Sequence, residues 1–266
     1  MKPTTYFFFT LLSLSIFSCQ EVIELDLNDA GPQLVVDATL TDAPLSSQVI
    51  LTRSGSYFEP GNYERVSDAT VELSASNGDS WLLAEKDSGL YAADGLIGEI
   101  GETYTLSVEV DGEMVSGQSK MLAPVQLDSV DFQRLEGQSP RLPSSYLMRA
   151  YFDDPVDESV YMRFMVWVND TLDRGIYLYD GGTLTENDGI ARFIGLPLDQ
   201  GDAVRIMALR IERDVYQYYF ELADVAGVGS LGPGSAAPAN PTTNLSGDVL
   251  GYFGAMSATR YLAVVP

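Results

Sequence analysis

The sequence predicts a mostly β protein: an N-terminal immunoglobulin/transthyretin-like β-sandwich followed by a second β-rich domain carrying one helix. Three observations lead there. From residue 34 onward, short runs of β-branched and aromatic residues recur between Gly, Pro, Asn and Asp clusters, the close spacing of sandwiches and barrels. Asn77-Gly78 and Asp111-Gly112 lie between such runs and have the chemistry of tight hairpin turns. A single segment, 214–226, has apolar residues at helical spacing.

The N-terminus comes first. Met1 and Lys2 are followed by an apolar stretch over 6–17, the length of a signal-peptide core and too short to span a bilayer. It ends at Ile16, Phe17, Ser18 and Cys19, which looks like a bacterial lipobox with Cys19 as the lipid attachment site. Phe17 is bulkier than the usual residue at its position. Residues 1–18 are then a signal peptide. The alternative is a plain secretory signal or an uncleaved anchor helix. The only Cys of the chain falls where the apolar core stops, as lipidation requires. Acyl chains there anchor a protein at roughly 0.8 kcal/mol per buried methylene. Residues 20–26 carry Glu21, Glu24 and Asp26 and no base. They loosely resemble the acidic surface-export signal of Bacteroidetes lipoproteins, and Val22, Ile23, Leu25 and Leu27 equally suit a first strand.

The first domain, 19–123, has expected strands at 34–40, 48–53, 70–75, 81–84, 103–110 and 114–121. In 103–110, Tyr104, Leu106, Val108 and Val110 share one face. The second domain, 124–266, begins after Ala123-Pro124, with expected strands at 127–135, 146–153, 161–168, 174–179, 192–196 and 203–211. In 214–226, Val215, Tyr219, Leu222 and Ala226 form one stripe, with Tyr216, Phe220 and Ala223 beside it. Asp214 is expected to cap this helix with Gln217, and Gly227 to end it. Residues 227–247 have no core pattern, and two short strands at 251–254 and 261–265 finish the chain.

Composition excludes several functions. With 38 Asp and Glu against 15 Lys and Arg, a net charge of −23 repels nucleic-acid phosphates. There is no His, which removes imidazole bases and Ser-His-Asp or Cys-His catalysis, and with one Cys leaves no usual zinc or haem ligand set. No catalytic residue, metal or cofactor is expected. Asp153, Asp154, Asp157 and Glu158 crowd around Pro155, but their spacing lacks the calcium-loop pattern and suits a solvated turn. Gly227-Val228-Gly229 follows the helix instead of opening one, so it is no phosphate loop.

Two segments are candidate partner-binding surfaces. The loop 53–65 gathers Tyr57, Phe58 and Tyr63, and loop aromatics bury large area at small entropic cost. The alternative folds the rings back over the open end of the sandwich. Asn240 and Asn244, in the Asn-rich segment 238–254, can offer amides to a ligand or cap the segment's own backbone.

Several motifs together resemble a known family. They are Glu21 to Leu27, the loop Ser54 to Pro60, Ser67-Asp68-Ala69-Thr70-Val71, Gly101 to Leu106, and Pro238 to Gly247 leading into Gly251-Tyr252-Phe253-Gly254-Ala255. The chain resembles, over essentially its whole mature length, a Bacteroidetes family of outer-membrane lipoproteins described as a domain of unknown function and commonly encoded beside TonB-dependent receptors. Asp68 stands where Gly is expected, and Leu245 where Ile is commoner. The resemblance implies a lipid-anchored protein of the outer membrane, facing the cell exterior, that serves a TonB-dependent receptor as an accessory or ligand-presenting partner in nutrient uptake. It transfers no active residue. A carboxylate-based hydrolase of surface polymers, needing two acids about 5 to 9 Å apart, and a surface adhesin are the rival expectations.

Overall fold

Alternation of apolar and polar residues, period two, dominates the chain and is met by strands throughout. The computed structural model describes residues 31–43, 47–55, 63–136, 145–153, 159–181, 189–226 and 240–266. The N-terminal unit with Cys19 lies outside these residues, as do Tyr57, Phe58 and Gly227. Residues 32–266 form one compact unit.

In chain order the strands are β1 (Leu34–Thr41), β2 (Gln48–Arg53), β3 (Thr70–Ala75), β4 (Ser80–Asp87), β5 (Leu90–Ala92), β6 (Thr103–Val110), β7 (Glu113–Lys120) and β8 (Leu127–Leu135). There follow β9 (Ser145–Phe152), β10 (Tyr161–Val168), β11 (Thr171–Leu172), β12 (Tyr177–Asp180), β13 (Ile190–Phe193) and β14 (Ala203–Ile211), then helix α1 (Arg213–Val225) and β15 (Val249–Val264). The protein is mostly β with one helix among the described residues, as the sequence predicts.

The first core is sandwich-like. In β6, Tyr104, Leu106, Val108 and Val110 are all buried, the face the alternation selects. They meet Val36, Ala38 and Leu40 of β1 and Leu51 of β2 in one cluster. β4 joins the layers, pairing β3 through its first half and β5 through its second. The Asp111-Gly112 turn is left-handed at both residues, with φ of 54° and 80°. Asp68, where Gly was expected, is also left-handed, with φ 62°, a conformation Gly adopts without strain and Asp tolerates.

A second core lies between β10 and β14 on one side and the sheet β13-β9-β8 on the other, around Met148, Phe164, Phe193 and Ile206. The two cores are stitched by β15. Its first half pairs in parallel with β1, from Val249 to Met256, and its second half pairs antiparallel with β14, from Ser257 to Val264. Where two short strands were expected, one strand of 16 residues changes partner without a break. Leu245, Val249, Phe253 and Ala255 consequently belong to the first core, although they follow the boundary drawn at 123/124.

Gly251 makes this union possible. Its φ is 102°, and a Cβ there would stand 1.9 Å from the Val36 carbonyl oxygen. Side chains satisfy further backbone groups of β15. The Asn244 amide donates to the Phe253 carbonyl at 2.7 Å and accepts from its N–H at 2.9 Å, and the Ser119 hydroxyl accepts from the Ala255 N–H at 2.9 Å.

The helix buries Val215, Tyr219 and Ala223, the first two against Leu209 and Ile211 of β14 and Tyr252 and Met256 of β15. Its start corrects the expectation. The N-cap is Glu212, with no side-chain cap bond, and Asp214 falls in the first turn. The Glu212 carboxylate instead accepts from the Ser119 hydroxyl and the Lys120 N–H, both at 2.8 Å. Gln217 bonds Glu221 at 2.7 Å and takes no part in a capping box.

Candidate functional site

The outward face of β10, β14 and β15 follows from their alternation. Met162, Phe164 and Val166 of β10 and Val204, Ile206 and Ala208 of β14 point into the second core, so Met165, Trp167, Ala203, Arg205 and Met207 point away from it. The antiparallel registers set these in rows. Leu172, Trp167, Arg205 and Leu262 stand opposite one another across four strands, and Met165, Met207 and Arg260 form the next row.

The helix covers only part of this face. Met165 and Met207 pack against its cluster, whereas the Trp167 row lies beyond it. Leu262 is 75% and Val264 is 64% exposed. Between them and Trp167 runs a groove of about 390 Å³, also lined by Asp170, Ala203 and Arg205. The Arg205 guanidinium lies 4.6 Å from the Trp167 ring centroid, a cation–π distance, and reaches Asp170 at 4.0 Å. This is an open surface of indole, aliphatic and guanidinium groups on a rigid sheet. It can bind by burial and charge.

Beside it, under the helix, lies a polar aromatic cluster. Arg163 of β10 sits 3.9 Å from the Tyr219 ring centroid and donates to its hydroxyl. Tyr219 donates to the Tyr252 hydroxyl, which also bonds the Thr39 hydroxyl at 3.1 Å. Burial pushes the Tyr252 and Tyr219 phenols far up and that of Tyr218 to about 12, with the Asp37 carboxylate adding to the Tyr218 shift. Phenols held neutral in this way make poor bases or nucleophiles at neutral pH. The cluster works as a satisfied hydrogen-bond chain that fixes the helix on the sheet.

The candidates named from sequence lie elsewhere. Tyr63 is 60% exposed beside β2, which the Thr52–Arg65 bridge brings alongside it. Between β2 and β10 the sheet order interposes β1, β15 and β14. Asn240 is exposed. Asn244 lies against β15 with both ends of its amide on Phe253, the backbone-capping use of such an amide. Trp167, Arg205, Leu262 and Val264 went unnoticed in the sequence, since alternation tells which residues share a face and not whether that face is covered. No helix among the described residues is long and apolar enough to cross a membrane.

The family model described as a domain of unknown function (DUF4249) matches residues 20–261 of the chain. No curated protein matches it.

Proposed function

We propose, from the premise that this chain belongs to the DUF4249 family, that it is a lipid-anchored protein of the outer membrane that binds and does not catalyse, an accessory or ligand-presenting partner of a TonB-dependent receptor. The observation that carries the binding role is the uncovered Trp167 face. Isolated exposed apolar residues are ordinary, but an indole and two largely exposed aliphatic side chains around one groove on a rigid sheet have the make-up of an interface core. The placement rests on Cys19 at the end of the apolar stretch and on the resemblance to lipoproteins encoded beside such receptors.

Two experiments test the two halves. Cys19→Ala is expected to move the protein from the membrane to the soluble fraction; retention with an intact N-terminus rejects lipidation. For the partner, the tagged chain is purified from solubilised outer membranes and a receptor sought in the eluate. Leu262→Asp places a charge on a largely exposed apolar side chain that lines the groove and is expected to reduce that recovery more than tenfold, since disrupting an interface hot spot typically costs at least about 2 kcal/mol. The loop variant Tyr57→Ala/Phe58→Ala/Tyr63→Ala serves as the competing surface. If it abolishes recovery while Leu262→Asp does not, the docking surface lies on that loop.

A further inference from the structure

We infer that the Trp167 face selects an acidic, extended partner segment bearing apolar side chains, an inference that rests on reading this face as a docking surface. The starting point is charge. Acids outnumber bases 38 to 15 in this chain, so an average patch of its surface is acidic. The outward positions of β10, β14 and β15 depart from that average: they hold Arg163, Arg205 and Arg260 and no carboxylate.

The three arginines differ in what they are free to do. Arg163 is engaged by the Tyr219 ring and hydroxyl. Arg205 and Arg260 are exposed. The Asp170 contact of Arg205 is at the outer limit of an ion pair, and the Asp170 side chain is 97% exposed, so this acid competes weakly with an incoming carboxylate. The register sets Arg205 opposite Leu262 and Met207 opposite Arg260, which makes the two arginines diagonal neighbours, roughly 7 to 8 Å apart at the backbone.

That spacing has a counterpart in the ligand. In an extended segment, side chains two residues apart point the same way at about 6.6 Å, twice the rise per residue. Carboxylates at such positions meet both guanidinium groups, and an apolar side chain two residues further reaches Leu262, Val264 or the Trp167 ring. Partial exclusion of water by those groups strengthens the charge-assisted bonds. A basic segment of the same shape finds no carboxylate on these strands and meets two positive charges.

The global field makes the test discriminating. A protein of net charge −23 attracts cationic peptides non-specifically and repels anionic ones, so preference for an acidic peptide has to come from a local site. The chain has two tryptophans, Trp81 and Trp167, so in the full chain carrying Trp81→Phe the emission reports Trp167 alone. The probe is a synthetic decapeptide with Ser at every even position and Glu, Glu, Leu, Glu, Glu at the odd ones, which share a face when extended, compared with the same peptide carrying Lys for Glu. The Glu peptide is expected to shift Trp167 emission saturably, with affinity falling as salt rises and at least tenfold above that of the Lys peptide. Arg205→Gln/Arg260→Gln, with its circular dichroism unchanged, is expected to weaken binding at least tenfold.

Equal or tighter binding of the Lys peptide, or full retention by the double Gln variant, overturns the inference. So does an emission shift with vesicles of anionic phospholipid but none with the Glu peptide, which makes the face a membrane contact. Failure of the docking reading itself is seen separately: Leu262→Asp then leaves receptor recovery from outer membranes unchanged.

Discussion

Replacing Gly251 with Ala tests the claim that one shared strand unites the two cores. Gly251 pairs with Val36 in the parallel ladder of eight residue pairs between β1 and β15. Its φ of 102° is unfavourable for any L side chain, and a Cβ would meet backbone only: the Val36 oxygen at 1.9 Å, its carbonyl carbon at 2.7 Å and its nitrogen at 2.9 Å. An ordinary carbon–oxygen contact is about 3.3 to 3.6 Å, so the strands must part locally by roughly 1.5 Å, enough to break the hydrogen bonds on either side. Two buried bonds left unmade cost about 1 to 3 kcal/mol each, and the positive φ adds roughly 1 to 2 kcal/mol. The sum, about 3 to 8 kcal/mol, is a large part of the roughly 5 to 15 kcal/mol that stabilises a folded chain. At about 2 to 4 °C per kcal/mol for a chain of this size, Gly251→Ala is expected to lower the melting temperature by at least about 6 °C, read by circular dichroism at 218 nm. The matched control is Gly254→Ala, three residues along the same strand. Its Cβ meets chiefly the terminal methyl of the buried Met256, at 2.4 Å, the end of a flexible side chain where Gly251 would meet backbone, while replacing a strand glycine recovers about 0.5 to 1 kcal/mol of backbone entropy. The control is expected within about 3 °C of the parent. A Gly251→Ala protein that melts within 2 °C of the parent, or no lower than the Gly254→Ala protein, refutes the argument.

Other positions give independent tests. Tyr219→Phe removes the hydroxyl that joins Arg163 to Tyr252 and is expected to cost about 1 to 3 kcal/mol in urea unfolding; Tyr219→Ala, which also empties a buried ring site, about 3 to 5 kcal/mol. Asn244→Ala strips both partners from Phe253 and is expected to cost about 2 to 4 kcal/mol at two partly buried backbone groups, with Asn244→Asp recovering only the accepted bond. Alkaline pH gives the fourth. Because burial raises the folded-state Tyr218 pKa to about 12 above the ordinary tyrosine value of about 10, the folded state holds its proton longer. Stability is then intact below pH 10 and falls as pH rises from 10 towards 12, so absorbance at 295 nm should show the buried phenols titrating only as the protein unfolds. Their titration in step with exposed tyrosines, without unfolding, contradicts the burial.

Fold class was readable in the chain because it depends on local pattern. The alternation in Thr103–Val110 allows one face to be buried at a time, and Asp111-Gly112 takes the left-handed turn that joins it to β7 at low strain. The helix was equally readable from its spacing, although Ala223 is buried with Val215 and Tyr219 where Leu222 and Ala226 were expected on the stripe; Leu222 is half-buried and Ala226 exposed. Its start was not. Asp214 has the right chemistry for a cap, but Glu212, with its carboxylate on Ser119 and Lys120 some 90 residues away in sequence, is the residue at the cap, and no local pattern encodes so distant a partner. The union of the two expected C-terminal strands was hidden for the same reason. Residues 255–260, expected to separate them, are strand because Ala255 and Met256 pair with β1 and Ser257 to Arg260 pair with β14, partners that no local pattern names. The candidate site was the least legible part. Sequence locates aromatics, and so drew attention to Tyr57, Phe58 and Tyr63. Whether Trp167, Leu262 and Val264 meet water depends on where a 13-residue helix stops covering a sheet. Local sequence sets which residues share a face through the period of the backbone; exposure of that face is a property of elements packed from far along the chain, and only the tertiary structure decided it.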